Sequence, residues 1–244
     1  MEDKTILLSS TYFGPVQWYQ KLNRHRCVIE QHDNFVKQTY RNRCVIASAN
    51  GPQTLTVPTE RYDGLKCPMR DIRISDHGNW RHLHWQALVS AYGETPFFEY
   101  YADDLRPYFE ERRWTYLLDF NLDIMHTLCS LLDVRPTLSL SDHYITTDAP
   151  TTAHAAATAT TGGSNSMGEE TRLNAESKLF EEAKGVGSNF IDLRDAIRPK
   201  RPLPDNEFNP RPYYQVRAAR HGFLPNLSVL DLLFNEGPEG IFWL

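Results

Sequence analysis

The chain has 244 residues, of which 41% are hydrophobic and 23% charged, a balance typical of a globular protein with a buried core. The formal net charge of -5 argues against a nucleic-acid-binding protein that depends on phosphate charge alone. The four cysteines stand singly, so the sequence predicts neither a zinc site nor a disulfide framework and favours a cytoplasmic location. The first apolar run is too short for a signal peptide or a membrane span.

The first 31 residues predict a β-α-β unit. TILLSS (5–10) is a short, β-rich run typical of a buried strand, and RCVIEQ (26–31) is the next strand candidate. Between them, Gly14-Pro15 precedes a helical apolar repeat from Val16 to Leu22, and proline is tolerated in the first turn of a helix. A strand, a helix and a second strand in succession favour parallel pairing.

A β-hairpin follows. CVIAS and TLTVP flank Asn50-Gly51, a dipeptide in which both residues tolerate positive φ angles. DIRIS (71–75) predicts a further short strand, and TLSLS (137–141) another. The predicted fold class is therefore α/β, a mixed β-sheet flanked by helices, with a β-α-β start followed by a hairpin. Helical patterns cover residues 79–93, 102–112 and 115–132.

The last hundred residues differ in composition from the rest. Residues 146–168 are mostly small and polar, which predicts a flexible insertion in a single domain spanning residues 1–244. Residues 169–185 predict an amphipathic helix, five prolines between 199 and 212 force an extended segment, and NLSVLDLLFNEGP (226–238) predicts a short final helix.

Two arginines form the first candidate binding group. If their segment is extended, Arg41 and Arg43 leave the same face, with Asn42 on the other side. Two guanidinium groups on one face suit a phosphate or a carboxylate, because each can donate two hydrogen bonds to it. The alternative is a solvated strand edge with surface salt bridges.

The histidines near residue 80 form the second candidate group. His82 and His84 are two positions apart on a helix and therefore diverge, so no metal site is predicted. His84 shares an apolar stripe with Trp80, which fits either a hydrogen-bonded core residue or a general base facing a cleft. Cys44, close in sequence to the arginines, is a more remote candidate for a nucleophile paired with His84.

Other polar residues are open to two interpretations. The turn before the first helix places Gln17 and Tyr19 where an anion can bind a helix N-terminus, although an ordinary βα turn has the same pattern. Neither GxGxxG nor GxxxxGK[ST] is present, which excludes those two nucleotide-binding motifs. Ser228 and Asp231 fit a capping box, whereas Gln215, after two tyrosines, fits a sugar-binding platform.

Four stretches together resemble the WbqC-like protein family. They are TYFGPVQWYQKL, VKQTYRNRCVIASANGPQTLTVP, NWRHLHWQALVSAYGETPFFEYY, and YYQV with GFLPNLSVLDLLFNEGP. Their order and spacing match the family over nearly the whole chain, with residues 146–168 outside the shared pattern. The family's recurring polar positions correspond here to Gln17, Tyr19, Lys37, Arg41, Asn42, Arg43, His84, Trp85, Tyr92, Gln215, Asn226, Ser228, Asp231 and Asn235.

The resemblance implies a role in bacterial surface-polysaccharide (O-antigen type) biosynthesis. The expected activity is acyl or aminoacyl transfer to an amino sugar on a nucleotide carrier. The alternative is a non-catalytic binding or scaffold protein of polysaccharide assembly. The expected partner is a small, phosphate-bearing or sugar substrate, with no nucleic acid and no membrane span, and the sequence identifies no cofactor. His84 is the predicted catalytic residue, and the predicted ligand-binding residues are Gln17, Tyr19, Lys37, Arg41, Asn42, Arg43, Gln215 and Asn226.

Overall fold

A computed structural model describes residues 4–147 and 190–244. These residues belong almost entirely to one compact unit, Met1–Ile145 with Ile191–Leu244. The second unit, Thr146–Phe190, is described only at its two ends. The predicted insertion at 146–168 therefore lies outside the described residues except for its first two positions, and the predicted helix at 169–185 lies wholly outside them.

A four-stranded sheet forms the centre of the first unit. Its strands are β1 (Thr5–Ser9), β2 (Arg26–Glu30), β5 (Thr137–Leu140) and β6 (Phe190–Asp192), in the order β5-β2-β1-β6. β1 pairs with β2 in parallel, and β2 pairs with β5 in parallel. Helix α1 (Val16–Arg24) connects β1 to β2. The predicted β-α-β start is confirmed, because apolar runs at both strands bury them beneath an amphipathic crossover helix.

The predicted hairpin is also confirmed. β3 (Arg43–Ser48) and β4 (Gly51–Thr56) form a separate antiparallel pair, with Arg43 opposite Thr56. Gly51 has a φ of 101°, a left-handed conformation that favours glycine, and this explains why the chain reverses at Asn50-Gly51. The strand predicted at 71–75 is not formed: a 3₁₀ helix covers Met69–Asp71, and only isolated bridges follow it.

Helices cover the remainder of the chain. After the hairpin come α2 (Trp80–Tyr92), α3 (Phe98–Leu105), α4 (Pro107–Glu110) and α5 (Leu117–Leu131). The C-terminal part holds α6 (Ala218–His221), α7 (Val229–Glu236) and a 3₁₀ helix at Gly237–Trp243. The pattern at 102–112 is divided between α3 and α4, because Pro107 begins a new helix. In the described part of the chain, no helix has the length and apolar character that a membrane crossing requires.

The core is unusually aromatic where α2 and α5 meet the loop after β1. Tyr12, Phe13 and Phe120 are each 0% exposed, and the rings of Tyr12 and Phe120 stack with centroids 5.8 Å apart. The same loop contains Gly14, where an added Cβ would lie 2.3 Å from the Thr11 hydroxyl oxygen. Position 14 therefore requires glycine, because the Thr11 side chain already occupies that space.

Candidate functional site

The two predicted arginines do not share one face of a strand. Arg41 lies in a turn, and β3 begins only at Arg43. Arg41 is buried and bonded to carboxylates, whereas Arg43 is partly buried and forms no ion pair with any described residue. The expectation of a common face is therefore wrong, because it assumed an extended backbone from 41 to 43.

Arg41 is held at the carboxyl end of the parallel sheet. Its Nη2 donates to Asp33 Oδ2 at 2.5 Å, and its Nη1 lies 3.3 Å from Asp195 Oδ1. The Ser9 hydroxyl, at the end of β1, also donates to Asp33 Oδ2, at 3.2 Å. Burial raises the pKa of Asp33, although the charge and hydrogen bond of Arg41 act in the opposite direction. The Asp33 Oδ1 atom has no hydrogen-bond partner among the described residues.

A second buried arginine lies beside the first. Arg194 donates from Nη2 to Asp192 Oδ2 at 2.5 Å, and its Nη1 lies 3.7 Å from Glu30 Oε2. Glu30 is 0% exposed and accepts hydrogen bonds from the Ser141 hydroxyl and the Ile145 backbone N–H. We call this arrangement the carboxyl-edge pairs: Arg41 with Asp33 and Asp195, and Arg194 with Asp192 and Glu30.

A narrow cleft adjoins the carboxyl-edge pairs. It is lined by Ser9, Ser10, Thr11, Trp18, Thr39, Tyr40, Arg41, Leu193, Arg194 and Ile197. It encloses about 10 Å³, the space of a single water molecule. The four carboxylates of the carboxyl-edge pairs exceed their two guanidinium groups, so the local charge does not favour a phosphate here. The position matches the usual ligand site of parallel α/β sheets, but its size and charge do not suit the predicted ligand.

Arg43 is the predicted arginine that remains available to an anion. Its Nε atom is buried without a hydrogen-bond partner among the described residues. Burial lowers the pKa of Arg43, and no carboxylate of the described residues counteracts this effect. A partly buried cation without a counter-ion is costly, and an anionic ligand offsets that cost.

Three predicted ligand-binding amides are engaged with the protein itself. Gln17 donates from Nε2 to Asp205 Oδ2 at 2.9 Å, and Asn226 donates from Nδ2 to Gln17 Oε1 at 3.0 Å. The same Asp205 accepts from the buried Lys21 ammonium at 3.1 Å. Asn42 donates from Nδ2 to the Val57 carbonyl at 2.9 Å. The Gln17 bonds join α1 to Asp205 in the proline-rich segment and to Asn226. The Asn42 bond joins the residue before β3 to the residue after β4.

Gln215 belongs to a separate buried network. Its Nε2 donates to Asp231 Oδ2 at 2.8 Å, and the Tyr213 hydroxyl donates to the same oxygen at 2.6 Å. Burial raises the pKa of Asp231, which these donors partly offset. Ser228 caps α7 as predicted, since its hydroxyl accepts from the Leu230 N–H, but Asp231 is not the second half of a capping box.

Tyr19 and Lys37 lie at opposite extremes of exposure. Tyr19 is 0% exposed, and its hydroxyl has no hydrogen-bond partner among the described residues. Lys37 is exposed in the turn before Arg41. Neither lines the carboxyl-edge cleft, so their predicted roles as ligand-binding residues stay predictions.

His84 is buried, with a relative exposure of 6%. Its Nδ1 lies 2.9 Å from the Tyr12 hydroxyl, and its ring contacts Trp80 at a centroid distance of 5.1 Å. Burial lowers the pKa of His84 to about 4, against a smaller opposite effect of a hydrogen bond to the Thr56 backbone. The ring is therefore neutral at pH 7. His84 does not line the carboxyl-edge cleft, and its catalytic role stays a prediction.

The remaining candidate groups are mostly buried. Burial raises the pKa of the Cys44 thiol, which opposes a reactive thiolate at that position. Within the described ranges, no group of three or more His, Cys, Asp or Glu side chains is placed to hold a metal ion. Of the aromatic residues considered for an interface, Phe98 and Tyr101 are buried, Trp85 and Phe97 are partly buried, and Tyr100 is 75% exposed.

The model of the WbqC-like protein family matches residues 10–242. The chain belongs to the WbqC-like protein family. Uncharacterized protein Rv1507c of Mycobacterium tuberculosis (strain ATCC 25618 / H37Rv) is 28% identical over 218 residues, which cover 87% of this chain and 84% of the relative. No solved structure matches the chain.

Two further polar residues of this WbqC-like chain form buried hydrogen bonds. The Tyr92 hydroxyl accepts from the Ala47 N–H at 3.0 Å, and Asn235 donates to the Asp231 carbonyl at 2.7 Å. Both residues are among the polar positions that the sequence resemblance predicts for the family. The first bond joins positions 45 residues apart, whereas the second lies within α7, so each of these polar side chains holds the fold.

The sequence analysis missed five members of the carboxyl-edge pairs: Glu30, Asp33, Asp192, Arg194 and Asp195. Glu30 ends β2 and Asp33 follows it, so both stand where side chains of parallel strands meet a ligand, and this position was a usable signal. Arg194 and Asp195 follow β6, a strand of three residues without a recognisable pattern. The contact between Asp195 and Arg41 joins positions 154 residues apart, which no local spacing reveals.

Proposed function

We propose that this WbqC-like chain acts on an activated sugar in bacterial surface-polysaccharide biosynthesis, with Arg43 binding a phosphate of the carrier. The observation that carries the proposal is the Arg43 guanidinium, which is partly buried and forms no ion pair with a described residue. A phosphate that accepts two hydrogen bonds from this group would supply the missing counter-charge.

The proposed reaction is acyl or aminoacyl transfer to the amine of the sugar. The amine nitrogen attacks the carbonyl carbon of a thioester donor, so that a C–N bond forms and the C–S bond breaks. The thiolate leaves with the electron pair, and the amine gives its proton to His84, which is neutral because burial lowers its pKa to about 4. The Tyr12 hydroxyl is hydrogen-bonded to His84 Nδ1 at 2.9 Å. The proposal requires that this hydrogen bond break, so that Nδ1 can accept the proton of the amine.

The second candidate is a non-catalytic protein that binds an activated sugar during polysaccharide assembly. The burial of His84 and its contact with Tyr12 favour this alternative, because they give the imidazole a structural role in the aromatic core. An aromatic interface receives less support, since most of the aromatic side chains considered for it are buried or half-buried.

A melting-shift experiment tests the shared part of both candidates. The full chain is incubated with UDP-sugars, dTDP-sugars and acyl-CoA near millimolar concentration. We expect a ligand among the nucleotide sugars to raise Tm, Arg43→Ala to remove the shift, and Arg43→Lys to retain part of it. Arg113→Ala, which removes an exposed guanidinium paired with Asp123, is the matched control. The absence of a shift with every ligand would count against the proposal.

Product analysis separates the two candidates. With a ligand from that screen and an acyl donor, His84→Gln is expected to abolish transfer while the melting shift persists. Tyr12→Phe frees Nδ1 and is expected to leave transfer intact or faster. Transfer that survives His84→Gln contradicts the role of His84, and no transfer by the unaltered chain favours the binding protein.

A further inference from the structure

A second cleft lies at the amino ends of β2 and β5, the opposite edge of the parallel sheet from the carboxyl-edge pairs. It encloses about 230 Å³, compared with about 10 Å³ for the carboxyl-edge cleft. We call it the amino-edge cleft, and its lining residues are Leu22, Asn23, Arg24, His25, Arg26, Arg135 and Thr137. None of the predicted site residues lines it.

The topology brings two helix-to-strand corners together at this cleft. α1 ends at Arg24 and β2 begins at Arg26, so His25 alone joins them. α5 ends at Leu131, and Arg135 lies in the short loop before β5. The parallel register sets Arg26 directly opposite Thr137. Arg24 and Arg26 from the first corner and Arg135 from the second therefore line the same cleft, although more than a hundred positions separate the two corners in the sequence.

Among the residues that the structure describes, the lining of the amino-edge cleft contains three guanidinium groups and no carboxylate. Arg24 donates from Nε and Nη2 to the Leu244 main-chain oxygen, at 3.0 and 2.8 Å. Arg135 pairs with Asp133 at 3.1 Å, but both side chains are more than three-quarters exposed, so this pair is weak. Arg26 is exposed and forms no ion pair with a described residue.

One further acid approaches the cleft from outside its lining. Glu207 lies 3.1 Å from His25 Nε2 and also 3.2 Å from the Lys21 ammonium. Asp205 also lies 3.0 Å from the Lys21 ammonium. Asp133, Glu207 and Asp205 therefore supply three negative charges against the four positive charges of the three guanidinium groups and the Lys21 ammonium. Positive charge therefore remains in excess at this edge, and an anion entering the cleft gains from it.

We propose that the amino-edge cleft binds a phosphate-bearing anion through Arg24, Arg26 and Arg135. Guanidinium groups donate paired hydrogen bonds to phosphate oxygens, and Asn23 and Thr137 add neutral donors at the same wall. The cleft is larger than one phosphate needs, which points to a diphosphate or to a phosphate with an attached group. This site is separate from Arg43 and does not depend on the proposed function.

Isothermal titration of the full chain with inorganic pyrophosphate tests this inference. We expect saturable binding that weakens as salt increases. Arg26→Ala and Arg135→Ala are each expected to weaken it about tenfold, since each removes a charge-assisted contact. Arg26→Lys is expected to recover part of the affinity. The control is Arg113→Ala, an exposed arginine elsewhere on the surface that is paired with Asp123.

The outcomes separate this cleft from Arg43. If Arg43→Ala removes pyrophosphate binding while Arg26→Ala leaves it unchanged, the inference is overturned and the anion site lies at Arg43. No saturable binding, or equal losses in Arg26→Ala and Arg113→Ala, also overturns it. The urea midpoint of each variant confirms that the chain is folded. Parallel titrations with UDP and with vesicles containing phosphatidic acid distinguish a nucleotide from a lipid headgroup as the source of the phosphate.

Discussion

The two edges of the parallel sheet carry similar residues but use them differently. At the carboxyl edge, two guanidinium groups are buried among four carboxylates, and the adjoining space holds about one water molecule. At the amino edge, three guanidinium groups line a cleft of about 230 Å³, and Asp133, which pairs with Arg135, is itself 76% exposed. The difference indicates that burial among carboxylates, rather than the presence of arginine, decides whether an arginine holds the fold or binds a ligand.

The physical basis is the cost of burying charge. A guanidinium removed from water requires a counter-charge and hydrogen bonds, and its acidic partners then fix its position. A guanidinium at a solvated edge stays hydrated, and its positive electrostatic potential attracts anions. It contributes little to the free energy of unfolding. Arg43 is intermediate, because it is partly buried yet lacks a carboxylate partner in the described part of the chain.

The largest expected effect is at the carboxyl edge. Asp33→Ala leaves the Arg41 guanidinium buried without its closest partner, so we expect a loss of about 3–5 kcal/mol in the free energy of unfolding. Urea denaturation measures this change. Asp195→Ala is the control, because its carboxylate is 70% exposed and its loss is expected to cost less than about 1 kcal/mol. Equal losses in the two variants would contradict the distinction between buried and exposed partners.

A pH-dependent effect is expected in the aromatic core, where burial also controls charge. The pKa of His84 is lowered to about 4 in the folded chain, below its ordinary value. Its contribution to stability is therefore complete above pH 6.5 and is lost as pH falls towards 4, in total on the order of 3 kcal/mol. His84→Gln removes this titration, so its unfolding free energy should fall less across that range. If the unfolding free energies of the unaltered protein and of His84→Gln fall equally across that range, His84 is not the group that titrates.

Lys21 provides an intermediate case on the helix that leads to the amino edge. Its ammonium is 1% exposed and contacts Asp205 and Glu207. Lys21→Met leaves Asp205 without a cation, and we expect it to lower the free energy of unfolding by about 2 kcal/mol. Chemical denaturation near pH 7 checks the value. An unchanged free energy of unfolding would show that Lys21, like the solvated arginines, does not stabilise the fold.

The smallest expected effect on stability is at the amino edge. Arg26→Ala removes an exposed side chain without an ion pair to a described residue, so the free energy of unfolding should change by less than about 0.5 kcal/mol. The same variant is expected to lose pyrophosphate affinity. A large loss of stability would show that Arg26 holds the fold, and the contrast between the two edges would then fail.

Much of the fold could be predicted from local sequence. Apolar strands around an amphipathic helix predicted the parallel β-α-β unit, and Asn50-Gly51 predicted the hairpin, because both signals depend on neighbouring residues. DIRIS alternates as a strand does but finds only isolated bridges, since strand formation depends on an available partner. β6 is too short to carry a pattern.

The candidate site was less predictable, because its character depends on long-range pairing. Arg41 and Arg43 look equivalent in the sequence. Arg41 forms ion pairs with the acids that follow β2 and β6, whereas Arg43 forms none with a described residue. Arg24 and His25 look like the end of a helix, and Arg26 like the start of a strand. The register of β2 with β5 sets all three beside Arg135. Local composition identifies charged groups, but the tertiary contacts decide which of them are neutralised.

The arginine Nε–H signals in an NMR titration with pyrophosphate test the central claim most directly. Individual Arg→Lys variants assign the signals of Arg26, Arg135, Arg41 and Arg194. We predict saturable shifts of the Arg26 and Arg135 signals, while the Arg41 and Arg194 signals stay unchanged because their carboxylates remain bound. Shifts of Arg41 and Arg194 with none at Arg26 and Arg135 would contradict the claim that burial among carboxylates separates structural arginines from ligand-binding ones.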